Sequence, residues 1–373
     1  MVSANRIIPF FDYPGLFKRQ EKEILDTLHN VLRRGAFIMQ KDLADFERNL
    51  AEYTGAGYAV GVANATDAIQ IGLMAGGLNP GDEVIFCSHT MVATASAIHF
   101  AGGVPVPVEA GPDHLIDPGA VEAAITARTR AIMPTQLNGR TANMDALGAI
   151  AEKHGLQIYE DAAQALGSKF KGQCAGTFGV ASCISFYPAK ILGCLGDGGA
   201  VLTNDQEVYR KILLLRDHGR AENGDVVLWG LNSRLDNLQA AILDYQFKNY
   251  AEVVERRRVI ADMYQERLGG LERLFLPPAP DSNPEHFDVF QNYEIEAENR
   301  DELKAYLAEL GVGTLIQWGG KAVHQFRKLG FTQSLPFTEK LFERMLMLPM
   351  NMSLTDDDVE YVCECIRTFY ENY

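Results

Sequence analysis

The chain has no apolar run that approaches the roughly 18–20 residues a membrane-spanning helix requires, so no span is expected. It has no surplus of positive charge either. Its 34 Lys and Arg stand against 49 Asp and Glu, which gives a formal net charge of −15 and a pI near 5.0. Phosphate backbones are bound by clustered cations, so nucleic acid is excluded as a partner. Cysteine is scarce and scattered, six residues at positions 87, 174, 183, 194, 363 and 365. No CxxC pair occurs, and Cys363-x-Cys365 has no second half. Neither a zinc site nor a disulfide framework is indicated, and no metal site of any kind is expected. Free core thiols are the reading that remains. Internal repeats and low-complexity tracts are missing. The first residues, Met1-Val-Ser-Ala-Asn-Arg6, lack the apolar core of a secretory signal, which points to a cytoplasmic address.

What is present is ordinary globular material, with 47% hydrophobic and 22% charged residues among 373, enough for two domains. The stretch from Leu156 to Ala200 organises it. Leu156–Tyr159 is a short apolar run that delivers Glu160-Asp161-Ala-Ala-Gln164 at its end, where an open α/β sheet presents chemistry. A second apolar run, Ala181–Phe186, leads into Ser185-Phe-Tyr-Pro-Ala-Lys190 and then a turn rich in glycine, with Gly193, Gly196, Gly198 and Gly199. An Asp after a strand is ordinarily a cap or turn residue, and a Lys after Pro is ordinarily solvated. Here no other charge falls between Gly172 and Leu195, and Lys190 sits among Tyr187, Pro188, Ile191 and Leu192. Burial in such company favours the neutral, nucleophilic amine. A carboxylate paired with such a lysine is the minimum kit for pyridoxal phosphate (PLP). The lysine forms the Schiff base, and the carboxylate keeps the pyridine nitrogen protonated.

The ordered set Glu160-Asp161-Ala-Ala-Gln164, Ser185-Phe-x-x-x-Lys190 and Gly196-Asp197-Gly198-Gly199 resembles the DegT/DnrJ/EryC1/StrS family of nucleotide-sugar aminotransferases, from about Phe10 to about Leu354. The resemblance implies an α/β protein of PLP-enzyme fold type I, like aspartate aminotransferase. Residues 1–250 would form an N-terminal arm and a large PLP-binding domain with a mostly parallel sheet. Residues 251–373 would form a smaller α+β domain.

Taken in order, a helical pattern from Leu16 to Leu32 resembles the family's arm across a subunit interface, and Leu43–Tyr53 is a second amphipathic helix. Tyr58–Val62 is a strand, and Ala63-Asn64-Ala65-Thr66 turns straight into a helix, capped by Thr66 on this reading. Small residues there let backbone N–H groups approach a phosphate. The family usually has Asn-Gly-Thr at this turn, so Ala65 is a departure. Another is Met91, in the slot where relatives lay an aromatic ring on the pyridine, with His89 two residues before it. Leu137-Asn138-Gly139 stands where relatives have a Tyr-Gly pair. Val104–Glu109, Ala131–Gln136 and Val201–Asn204 are further strands of the sheet. A long helix is expected from about Leu231 to Leu268. A proline-rich connection at Leu276–Pro284 then leads to strands at Val289–Glu296 and Thr314–Gln317 and a terminal helix from Asp356.

By the same resemblance Lys190 and Asp161 are catalytic, Gln164 bonds the ring 3′-oxygen, and Ser185, Thr66 and the Ala65 backbone hold the phosphate. Asn232 would reach the phosphate of a neighbouring subunit, which requires a homodimer with shared sites. His89, Gln317 and Lys321 are expected to contact substrate. The implied reaction moves an amino group from L-glutamate to C3 of a nucleotide-linked keto sugar, a UDP-linked 3-keto N-acetylhexosamine ahead of a dTDP-linked 3-keto-6-deoxyhexose. Such amino sugars enter lipopolysaccharide. Amination at C4 and a non-catalytic sugar-binding or regulatory relative are the alternatives. The lysine and the missing DNA-binding appendage weigh against the last.

Overall fold

The computed structural model describes residues 6–372; the polar stretch 1–5 lies outside the described residues. Two helices come first, α1 (Tyr13–Arg34) and α2 (Lys41–Thr54). Alternation then sets in: β1 (Tyr58–Val62), α3 (Ala65–Ala75), β2 (Glu83–Cys87), α4 (Val92–Phe100), β3 (Val104–Val108), α5 (Pro118–Ala123), β4 (Thr129–Met133), α6 (Met144–His154) and β5 (Gln157–Asp161). A hairpin of β6 (Lys169–Phe170) and β7 (Gln173–Cys174) precedes β8 (Ala181–Ser185), β9 (Gly199–Thr203) and α7 (Gln206–Arg216).

These strands form a seven-stranded sheet in the order β1-β9-β8-β5-β4-β2-β3. β8, β5, β4, β2 and β3 are parallel, joined by helical crossovers except from β5 to β8, where the β6–β7 hairpin makes the link. β9 returns antiparallel to β8, and β1 lies antiparallel to β9. Six strands therefore run one way and β9 alone runs against them. The sheet is mostly parallel, as expected, but Val201–Asn204 does not continue the parallel run. Strands β2, β8 and β9 are buried at every position, as strands covered on both faces must be. Apolar α3 packs Ile69, Ile71 and Leu73 into that core, with Gly72 close to Ala181 of β8.

Beyond α7 the expected long helix is two. α8 (Asn237–Phe247) and α9 (Tyr250–Leu268) are separated at Asn249, whose backbone leaves the helical region at φ −108°, ψ 12°. Then come β10 (Leu274–Phe275), β11 (His286–Phe287), β12 (Tyr293–Ala297), α10 (Arg300–Glu309), α11 (Pro336–Arg344), β13 (Met345–Leu348) and α12 (Asp356–Asn372). An antiparallel sheet β10-β12-β13 shares an apolar core with α9, α10 and α12, through Tyr264, Tyr293, Leu303, Leu346 and Ile366 among others. β11 joins the β6–β7 hairpin.

Two expected strands differ. Val289–Glu296 becomes regular only at Tyr293, because Phe290 takes a left-handed backbone (φ 48°). Thr314–Gln317 contributes one bridge, Leu315 to Met347, before Trp318, Gly319 and Gly320 turn with positive φ. All six cysteines are buried and free. Among the described residues no helix is long and apolar enough to cross a membrane.

Candidate active site

Because six strands share one direction, their carboxyl ends gather chemistry along one edge of the sheet. β1 ends before Asn64, Ala65 and Thr66; β2 before Thr90 and Met91; β4 before Thr135; β5 at Asp161; β8 at Ser185. All of these line a cavity of about 450 Å³ that also receives Gln164, Lys190, Asp197, Asn292 and Gln317.

The turn after β1 is capped by Asn64, whose Oδ1 accepts from Asp67 N at 2.8 Å. Thr66, expected as the cap, instead lies in the first turn of α3 and faces the cavity. The first N–H groups of a helix lack internal acceptors, so this turn can receive an anion. Gly199 makes room for it: a Cβ there would stand 2.5 Å from the Asn64 carbonyl carbon and 2.7 Å from Ala65 N.

At the end of β5, alternation sends neighbouring carboxylates to opposite sides. Glu160 is buried away from the cavity and accepts from Gly176 N, Phe178 N and Gln136 Nε2 at 2.7–2.8 Å. Asp161 faces the cavity and is 5% exposed. Its Oδ2 accepts from the Thr94 hydroxyl at 2.6 Å, and its Oδ1 from Ala163 N at 3.2 Å and Cys183 Sγ at 3.3 Å. None of these donors carries charge.

Lys190 lies on the link between β8 and β9. Burial pushes its amine down to about 8, against the opposing pull of Asp161 and Cys183. Its backbone is held on both sides by one side chain absent from the sequence reading: Gln291 donates to Ala189 O at 2.9 Å and accepts from Ile191 N at 2.9 Å.

Gln164 is fixed by its oxygen, which accepts from Asn138 N at 2.9 Å and Asn292 Nδ2 at 3.2 Å. That leaves its amide N–H groups for the cavity. Asn138 is left-handed (φ 56°), and its Oδ1 accepts from Asn292 at 2.9 Å and from Gln317 at 2.9 Å. Gln317 also donates to Glu294 Oε2 at 2.8 Å. Gln164, Asn292 and Gln317 thus form a cavity wall of carboxamides, braced from behind by Asn138. Asn138 falls at one of the departures noted above, while Asn292 sits in a stretch read only as strand.

Of the expected residues, Ala65, Thr66, Met91, Asp161, Gln164, Ser185, Lys190 and Gln317 line the cavity, with Met91 half exposed at its mouth. Three do not. His89 is buried behind it, its Nδ1 donating to His114 O at 3.0 Å and its ring against Trp318 and Phe342. Lys321 is exposed beyond the left-handed turn that points Gln317 inward. Asn232 is exposed on a strand-like bridge to Asp217.

A lysine with a lowered pKa, a cavity-facing carboxylate and an anion-ready helix start, set on this sheet, define a PLP-dependent sugar aminotransferase of fold type I. The chain belongs to the DegT/DnrJ/EryC1/StrS aminotransferase family, whose model matches residues 18–367. It is 40% identical to a "Pleiotropic regulatory protein" of Geobacillus stearothermophilus, over 98% of this chain and 99% of that one. It is 37% identical to a dTDP-3-amino-3,4,6-trideoxy-alpha-D-glucose transaminase of Streptomyces venezuelae, over 98% and 96%. Identity is likewise 37%, over 98% and 99%, to a UDP-N-acetyl-3-dehydro-alpha-D-glucosamine 3-aminotransferase of Acidithiobacillus ferrooxidans. Among solved structures, S. venezuelae DesV in complex with a ketimine intermediate superposes with a TM-score of 0.94, at 37% identity over 98% of this chain and 99% of that one. NtdA of Bacillus subtilis, with bound cofactor PMP, gives 0.91 at 31% identity over 99% and 87%.

Proposed function

We propose that this enzyme transfers an amino group from L-glutamate to C3 of a UDP-linked 3-keto N-acetylhexosamine, in the cytoplasm. The observation that carries the sugar is the carboxamide wall. Gln164, Asn292 and Gln317, braced by Asn138, offer donors and acceptors suited to hydroxyl and acetamido groups. Named relatives that aminate C3 support the position on the ring. A dTDP-linked 3-keto-6-deoxyhexose is the second reading, favoured by equal identity to the Streptomyces transaminase. The regulatory name of the Geobacillus relative does not displace an enzyme that keeps both Lys190 and Asp161 in one cavity.

The donor set fits PLP. The turn at Ala65 and Thr66, with Ser185, would hold the phosphate; Asp161 would pair with the ring nitrogen and Gln164 with the ring oxygen. When bound, the cofactor supplies an aldehyde that carries the amino group and a ring that accepts electrons. Lys190 Nζ, whose pKa burial lowers to about 8, would move the proton that leaves the donor's Cα. Asp161 would hold the positive charge on the ring. We further propose that residues 1–250 and 251–373 act as large and small domains, supported by a second core drawn, apart from Ile8, from residues beyond 251. The carboxamide wall, drawn from Gln164 on one side and Asn292 and Gln317 on the other, would then lie at their seam.

Absorbance tests the reading. Purified protein with PLP should show a visible-edge band that L-glutamate shifts to shorter wavelength, and a UDP-linked 3-keto N-acetylhexosamine should restore it. Restoration by the dTDP sugar alone would move the conclusion to the second reading, and a protein that never develops the band would overturn both.

A further inference from the structure

Three threonines that no sequence motif singled out stand in line behind Asp161. Thr135 Oγ1 donates to Thr90 Oγ1 at 3.0 Å, Thr90 and Thr94 hydroxyls meet at 2.9 Å, and Thr94 donates to Asp161 Oδ2 at 2.6 Å. All three are buried. The direction of the chain is forced. An ionised carboxylate only accepts, so the Thr94 proton is spent on Asp161; Thr90 must then donate to Thr94, and Thr135 to Thr90. Every O–H dipole therefore points toward the carboxylate, and each bond polarises the next.

We propose that this hydroxyl chain positions the Asp161 carboxylate beneath the cofactor ring and supports it with donors that carry no charge, a role that rests on the pairing of Asp161 with the ring nitrogen. Its members come from separate elements: Thr135 follows β4, Thr90 follows β2, Thr94 belongs to α4 and Asp161 ends β5. The carboxylate is thereby tied to three parts of the scaffold, which fixes its orientation before any ligand arrives. Neutrality of the donors matters equally. A guanidinium at this place would also stabilise the carboxylate, but it would cancel the charge that the ring nitrogen needs. Hydroxyl, thiol and amide donors stabilise the negative charge and leave it available to hold a proton on that nitrogen.

Removing the Thr94 donor takes a hydrogen bond from the Asp161 carboxylate, so the shared proton moves from the ring nitrogen toward it. A less positive ring withdraws fewer electrons, and the Lys190 nitrogen joined to the cofactor becomes more basic. The test compares wild type with Thr94→Val, Thr94→Ser, Thr135→Val and Asp161→Asn. It measures the pH midpoint of the cofactor's visible absorbance, the PLP dissociation constant of the apoprotein and the apoprotein's unfolding temperature. Thr94→Val should raise the midpoint by about half a unit or more and weaken PLP binding about tenfold. Thr135→Val should move both in the same direction by less, and Thr94→Ser should match wild type. If Thr94→Val lowers only the unfolding temperature, with midpoint and affinity unchanged, the chain is merely structural and the proposal is overturned. Asp161→Asn separates the two layers. Should it leave spectrum and affinity intact, the Asp161 pairing itself is wrong; should it alter them while both valine variants do not, only the hydroxyl chain is.

Discussion

At the scale of single residues, the site depends on side chains that hold other side chains. Gln291 is 6% exposed and clamps the backbone on both sides of Lys190, while the Arg257 guanidinium holds the carbonyls of Phe290 and Gln291 at 2.9 and 3.0 Å. Replacing Gln291 by Ala removes two part-buried hydrogen bonds of about 1 kcal/mol each and frees the lysine loop. We expect kcat to fall roughly tenfold or more while the cofactor remains bound, because Asp161 and the α3 turn are untouched. Steady-state rates beside the bound PLP content check this, and an unchanged kcat would show that the clamp is dispensable. Lys190 was legible in the sequence because an isolated charge in an apolar stretch is visible in one dimension, and Asp161 because it closes an apolar run within the Glu160-Asp161-Ala-Ala-Gln164 motif. Gln291 was not, since its partners lie a hundred positions away and a Gln in a loop carries no periodic signal.

Elements show where one-dimensional reasoning stops. β9 runs against its neighbours, and the sequence does not show it because an apolar run reads alike in either direction. The short strands β6, β7, β10 and β11 have two residues each and leave no period to detect. The close passage of β9 under the α3 turn rests on Gly199, and Gly199→Ala would place a methyl group against the Asn64 backbone. Overpacking of this kind costs about 1–3 kcal/mol. PLP affinity of the apoprotein should drop by about tenfold, together with the unfolding temperature; normal affinity would mean the turn is not the phosphate seat. Strand β12 meets the region before α5 through a buried ion cluster. Burial lowers the pKa of the His114 imidazole, but its hydrogen bonds to the Glu294 and Glu296 carboxylates overrule that and hold it at about 9. A raised folded-state pKa stabilises fully below the ordinary 6.5 and loses that stabilisation as pH rises through 9. Thermal unfolding should therefore weaken from pH 7 to pH 10 by on the order of 3 kcal/mol from this group. His114→Gln should be less stable at pH 7, with Glu294 left short of a counter-charge, and flatter over that range. An equally steep decline in the variant would assign the effect to other groups.

For the molecule as a whole, a single chain supplies an incomplete charge set. Among the described residues lining the cavity, Lys190 is the one cation, yet a cofactor phosphate, a nucleoside diphosphate and a dicarboxylate donor would all be anions. Asn232 stands exposed outside the cavity, and Trp229 nearby is 95% exposed between apolar neighbours, a surface that invites a cover. We infer a homodimer in which each chain completes the other's site, as the family resemblance implied for Asn232. Lys190→Ala destroys the chain's own site, whereas Asn232→Ala harms the site of its partner, so each homodimer should be nearly inactive. Co-expressed in equal amounts, the two variants form mixed dimers with statistical weight of about one half, and each mixed dimer holds one intact site of two. The mixture should regain about a quarter of wild-type activity. If Asn232 serves its own chain, mixing leaves no intact site and the activity stays at the average of the two variants. The same samples report assembly directly, since a shared site requires that turnover per chain decline on dilution below the dimer dissociation constant.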